Sequence, residues 1–241
     1  MLLLRFSVGM FESVTFPAYA ALNARWIPRQ EYSRAQTLSV SGAYLGQAVA
    51  YPLTTWLLAL FSWPVVFYCN ALLGGIWLIA WMAFATHKPE EHPRISEHEL
   101  AYIKDNLAPR STTTDSPWIV AKEPQVLLLA LSYLLLIFGL WMIVLWLPTY
   151  MVKVRGFTLQ QMGWVGVIPT LASFAGLISG GTLSDWLLSR GFSVRVARAQ
   201  APSICIALGV PFLVSAVLVE SSGNSVLCFA TYLFLMNVAG G

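Results

Sequence analysis

Residues 125–151 read QVLLLALSYLLLIFGLWMIVLWLPTYM, a run with no charged side chain. A bilayer core about 30 Å thick needs roughly 20 apolar residues of helix at 1.5 Å each, and this run exceeds that. Its only sensible state in lipid is helix, because an open strand there leaves backbone N–H and C=O groups unpaired. Working outward, six more apolar runs lie at about 1–22, 35–60, 63–86, 161–188, 200–219 and 225–241. The chain is therefore expected to be an all-α, polytopic membrane helix bundle of about seven spans. Composition agrees. It is 57% hydrophobic and only 10% charged, against about 25% charged in soluble domains. Pro17, Pro52, Pro148, Pro169 and Pro211 fall in or near the runs, where membrane bundles tolerate proline as a kink.

Lys and Arg in the loops set the orientation. Arg25, Arg29 and Arg34 lie in the first loop, Lys88, Arg94, Lys104, Arg110 and Lys122 in the long loop before Pro124, and Arg190, Arg195 and Arg198 after the fifth run. The opposite side has only Lys153 and Arg155. The first side is expected to be cytoplasmic, so the chain starts outside and ends inside. Three parts follow: 1–86 as the end of one helical bundle with three spans, 87–124 as a cytoplasmic linker, and 125–241 as the start of a second bundle with four. In the linker, Ser96-Glu97-His98-Glu99 reads as a capping box, with Ile95 and Leu100 as a hydrophobic staple, and predicts a short amphipathic helix to about Asn106. Both chain ends fall in apolar runs without polar flanks, so the chain is expected to be part of a larger bundle whose remaining spans complete it. No cleavable signal peptide is expected, because Arg5 sits inside the first run rather than before it.

A net charge of +3 gives no reason to expect nucleic acid as a partner; the lipid bilayer is the expected one. Cys69, Cys205 and Cys228 lack the spacing of a metal or disulfide framework and read as buried thiols. No catalytic nucleophile–base arrangement, metal-ligand cluster or phosphate loop stands out, so neither an enzyme nor a resident cofactor is expected.

Arg5 and Glu12 are the ionisable residues that fall inside the runs away from their ends. Charges at membrane depth are costly and mark cavities or ion pathways. Seven residues is nearly two helical turns, so both project from one face about 10 Å apart. A fixed cation can hold a carboxylate, and a carboxyl two turns away can take and release a proton. The competing reading has Arg5 snorkelling to the interface and Glu12 hydrogen-bonded in packing. Tyr44, Gln47, Tyr133 and Trp141 are candidates to line a cavity. Gly42 with Gly46, and Gly176 with Gly180, are small pairs at four-residue spacing that permit close helix contact. Asp185 falls at the C-terminal end of its run, where the helix dipole disfavours an anion, so a partner elsewhere is expected.

The segment Gly181-x-Leu183-Ser184-Asp185, with Arg190-Gly191 and Arg195, resembles the cytoplasmic loop signature of the major facilitator superfamily in its second half. More narrowly, the chain resembles the anion:cation symporter family. The resemblance is carried by Arg5-Phe6, Gly9, Glu12, Phe16-Pro17-Ala18, Trp26-x-Pro28, Ser33-Arg34-Ala35 and Gly42-x-Tyr44-x-Gly46, then Trp63, Val66-Phe67-Tyr68, His92-Pro93-Arg94-Ile95-Ser96, Glu99, Tyr102-Ile103 and Trp146-Leu147-Pro148-Thr149-Tyr150. It implies that the seven runs correspond to spans four to ten of twelve, with spans five and eight packed across the bundle interface through the glycine pairs.

The resemblance also implies a proton-coupled symporter of small organic anions such as sugar acids, with sodium as the alternative coupling ion and a bacterial inner membrane as its location. By the same resemblance Arg5 receives the substrate carboxylate, Glu12 couples the proton, and Asp185 and Arg190 gate the cytoplasmic side. Two departures stand out. Ala43 occupies a place where sugar-acid members often carry Glu or Gln. Glu31-Tyr32-Ser33-Arg34 has tyrosine where an arginine is usual. Two other readings are a seven-span receptor and a truncated membrane protein without transport of its own. A receptor has no obvious use for a charged pair deep in its first span.

Overall fold

The computed structural model describes residues 2–107 and 123–240, with the backbone alone described for Arg5, Phe16 and Ser33. All regular structure among them is helical. The ten α-helices are α1 (Leu2–Glu12), α2 (Thr15–Trp26), α3 (Tyr32–Leu60), α4 (Trp63–Phe84), α5 (Glu97–Asn106), α6 (Pro124–Lys153), α7 (Leu159–Val165), α8 (Val167–Ser189), α9 (Ala201–Leu218) and α10 (Ser222–Val238).

Among the described residues, four stretches are long and apolar enough to cross a membrane: α4, α6, α7 with α8, and α9 with the π turn Val196–Gln200 that leads into it. The other three expected spans differ from that pattern. α10 is apolar but only 17 residues long. α3 has 29 residues but carries Gln36, Gln47 and several Ser and Thr, which dilute its apolar character. The first expected span is divided into α1 and α2.

The chain forms two compact units, Met1–Leu38 with Cys69–Ser111, and Ser39–Tyr68 with Thr112–Gly241. In the first unit, helix α5 forms where the sequence predicts it, with one bond of the expected capping box: the Ser96 hydroxyl accepts from the Glu99 N–H at 3.1 Å. It docks on the loop between α2 and α3. The Arg29 N–H donates to the Asn106 carbonyl at 2.9 Å, and the Tyr102 hydroxyl donates to Glu31 at 2.8 Å. Lys104 pairs with Glu90 at 3.2 Å. Trp26 ties the end of α2 to the segment after α4, donating from Nε1 to the Thr86 carbonyl at 3.3 Å and meeting His92 edge-on at 5.7 Å.

In the second unit, Leu147 and Met151 of α6, Met162 of α7, Ala216 of α9 and Val226 and Phe229 of α10 form the core. α10 packs chiefly on α8 and α9. A Cβ added at Gly176 would lie 2.3 Å from the Phe234 carbonyl oxygen, and one at Gly180 2.2 Å from that of Val238. The second glycine pair therefore seats α8 against the backbone of α10. Gly42 and Gly46 have nothing within 4 Å of such a Cβ. The close α3 contacts are instead made at Gly163, facing Thr55, and at Gly166, facing Tyr51.

Helix ends are finished locally. Arg155 donates to the carbonyls of Ala216 at 2.5 Å, Val217 at 3.0 Å and Val219 at 2.6 Å, capping the C-terminus of α9, where orphan carbonyls collect. Its guanidinium also stacks on Tyr150. Gly191, at φ +84°, ends α8 in a Schellman turn: the Phe192 N–H reaches the Leu187 carbonyl and the Gly191 N–H that of Leu188. The three cysteines are free but half-buried, not fully buried, because each lies on a helix with apolar surface still exposed.

Two outcomes check this packing. Gly180→Val drives a side chain into a carbonyl that cannot rotate away, costing about 1–3 kcal/mol. Its melting temperature in detergent falls, whereas Gly75→Val, which meets nothing within 4 Å, melts close to the unaltered protein. Tyr102 titrates above the ordinary phenol range, because Glu31 accepts its proton and adds its own negative charge. The contact therefore contributes below that range and is lost as pH rises through the raised value. Ultraviolet titration of Glu31→Gln shows the displacement gone.

Candidate functional site

The first expected span breaks for an identifiable reason. Pro17 has no N–H to return to the Ser13 carbonyl, and its ring crowds that carbonyl. The chain turns at residues 13–14, with the Ser13 hydroxyl donating back to the Met10 carbonyl at 2.7 Å. Glu12 is thus the last residue of α1, beside the break, and its side chain is exposed. Arg5 stands seven residues earlier on the same unbroken helix, so the expected spacing is kept; its side chain lies outside those described. Ser13 has its backbone N–H bonded to Gly9, and the ladder resumes with Ala18 on Val14.

In the second unit, the Tyr44 hydroxyl donates to Asn237 Oδ1, a hydrogen bond between α3 and α10. Asn237 is only 5% exposed, and its Nδ2 donates to the Leu233 carbonyl at 2.8 Å. Its oxygen is thereby turned toward α3. Gln47, three residues further along α3, is half-buried like Tyr44. Tyr133 and Trp141 of α6 are both exposed.

Asp185 is exposed in the last turns of α8. Arg190 caps the same helix and lies over the Trp186 ring at 5.2 Å. The two ion pairs among the described residues are Lys88–Glu91 and Lys104–Glu90, so Asp185 and Arg190 do not pair with each other here.

Sequence reasoning passed over a cavity of about 540 Å³ between the C-terminal half of α3 and α7, lined by Pro52, Thr55, Trp56, Gln160, Gln161 and Trp164 among others. Gln161 also closes the α7 capping box with Thr158. A strict capping-box signal, Thr158 followed three residues later by Gln161, was present in the sequence. That a cavity forms beside it depends on Gly163 letting α7 approach α3. Asn237 was also passed over. A lone Asn near a chain end carries no periodic signal, and only the packing of α10 brings it to Tyr44.

The Major Facilitator Superfamily profile matches residues 1–241, the whole chain. An ascorbate transporter, chloroplastic, of Arabidopsis thaliana is 36% identical over 95% of this chain and 43% of its own length. A probable galactarate/D-glucarate transporter of Escherichia coli strain K12 is 31% identical over 94% of this chain and 53% of its own. A D-galactonate transporter of Escherichia coli O6:H1 is 30% identical over 84% of this chain and 49% of its own. The chain thus spans about half the length of the curated relatives it matches.

Gly163→Val tests the α3–α7 contact. A Cβ there would sit 2.0 Å from Thr55 Oγ1, so α7 is pushed away and the neighbouring cavity opens. A cysteine introduced at Ala59 on its wall then reacts faster with an impermeant thiol reagent than it does with Gly163 in place.

Proposed function

This chain belongs to the major facilitator superfamily, and on that premise we propose that it is the central part of a secondary active transporter for small organic anions, sugar acids first among them. The observation that carries the reading is α1. Within an apolar helix it holds a cation and a carboxyl two turns apart, the carboxyl standing at a proline-induced break. Ionisable groups at membrane depth mark substrate and proton pathways, and interrupted helices recur at the midplane sites of transporters. The names of the relatives, which include ascorbate, galactarate/D-glucarate and D-galactonate transporters, support an anionic organic substrate.

In this reading Arg5 receives the substrate carboxylate and Glu12 takes up the coupled proton. The two bundles rock to expose the pair to each side in turn. Tyr133 and Trp141 line the path once the remaining spans are in place, and Asp185 with Arg190 gate the cytoplasmic side. The location we propose is a bacterial inner membrane, supported by the bacterial sugar-acid relatives; the plant relatives are named as chloroplastic. Sodium is a second candidate for the coupling ion, supported by a relative named sodium-dependent phosphate transport protein 1, chloroplastic, 32% identical over 95% of this chain.

The test uses the protein at full length in proteoliposomes, with radiolabelled D-glucarate. Arg5→Ala lowers uptake below saturation about ten- to hundredfold, the weight of a hydrogen bond to a charged group. Glu12→Gln loses uptake driven by an imposed pH gradient and keeps exchange of internal for external substrate. Normal gradient-driven uptake by Glu12→Gln would remove the coupling role. Uptake that follows a sodium gradient and ignores the pH gradient would assign the sodium alternative.

A further inference from the structure

The hydrogen bond between Tyr44 and Asn237 has a role that the substrate path does not require. Asn237 is held rigidly. It is buried, its amide N–H is committed to Leu233, and the α10 backbone on either side of it is seated on Gly176 and Gly180 of α8. α10 and α8 thus move as one body. Tyr44 comes from α3, which the sequence assigns to the other bundle. The bond therefore joins the two bundles, although both residues lie within the second compact unit.

Its depth can be read from the helices. Asn237 stands fifteen residues beyond Ser222, the start of α10, and Tyr44 sixteen residues before Leu60, the end of α3. At 1.5 Å per residue both lie about 22–24 Å from the helix ends that the charge pattern places outside. The pair therefore sits in the cytoplasmic half of the bilayer. One turn further toward the cytoplasm, Ser41 is 1% exposed, so the seam is closed there. Out of water, a hydrogen bond between two polar side chains has no solvent competitor to replace it.

We propose that Asn237 is a gate residue, and that its bond to Tyr44 is a latch holding the cytoplasmic side of the seam between the bundles shut. The proposal rests on the transporter reading above. It assigns Tyr44 to gating through Asn237, where the sequence offered it for substrate contact. When the bundles rock to open inward, the bond breaks and the Ser41 side of α3 becomes wet. Removing either partner shifts the protein toward the inward-open form.

The experiment places Ser41→Cys in the full-length protein, with Cys69, Cys205 and Cys228 changed to Ser, in vesicles that present the cytoplasmic side. Labelling by an impermeant maleimide reports the opening. Tyr44→Phe and Asn237→Leu each raise the labelling rate about two- to tenfold, the weight of one hydrogen bond. The double variant rises no further than the larger single. Tyr44→Cys with Asn237→Cys, once oxidised, lowers labelling below that of the parent and recovers on reduction. Unchanged labelling in both singles overturns the latch, as does a double variant in which the two effects add. Radiolabelled D-glucarate uptake by the parent, measured in the same vesicles, separates the two readings. If it is absent while labelling responds as expected, the substrate assignment falls and the latch stands. If it is present while labelling is unmoved, the latch alone falls.

Discussion

A helix in lipid has no water to repair the backbone groups it leaves open, and most of the local chemistry of this chain answers that constraint. Arg155 is the clearest case. Its guanidinium gathers the carbonyls of Ala216, Val217 and Val219 at the end of α9, and Ser225 donates to the Ala216 carbonyl as well, at 2.6 Å. Charge placed there also suits the negative end of the helix dipole. Along the spans, Thr170, Ser173 and Ser179 return their hydroxyls to carbonyls four residues earlier, so polar side chains are satisfied without a partner from another helix. Where the constraint is broken, at Pro17, the chain turns, and Glu12 stands beside the opening.

The second constraint is distance between backbones. Without a hydrophobic drive between helices in lipid, close van der Waals approach has to hold them together. Gly176 and Gly180 let α8 meet the carbonyls of α10, and Gly163 and Gly166 let the α7–α8 corner meet Thr55 and Tyr51 of α3. The long apolar faces of α4 and α6 remain exposed, as suits helices whose neighbours are lipid or further protein. The motif at the end of α8 combines two tasks. Gly191 supplies the left-handed turn that stops the helix, and Arg190 lies over Trp186.

Polar side chains within α3 add a third constraint. A tyrosine on a membrane helix is expensive unless paired, and here Tyr44 finds Asn237. The same bond that removes that cost ties α3 to α10.

Much was legible in the sequence alone. Uninterrupted apolar runs identify membrane helices because the thickness of a bilayer is a length, and length is written in the chain. The capped helix after Ser96 was legible for a similar reason: its bonds close within four residues. The isolated charges Arg5 and Glu12 stood out because lipid makes them costly. Family motifs then named the fold. Tertiary structure decided which glycines touch. Gly42 and Gly46 carry the same spacing as Gly176 and Gly180, yet only the latter meet a backbone. It also decided that the first span is two helices, because the sequence shows a proline but not whether a neighbour bridges the gap it leaves. Asn237 was decided there too. Its partner lies 193 residues away along the chain, and no local pattern encodes a contact made only when distant helices pack.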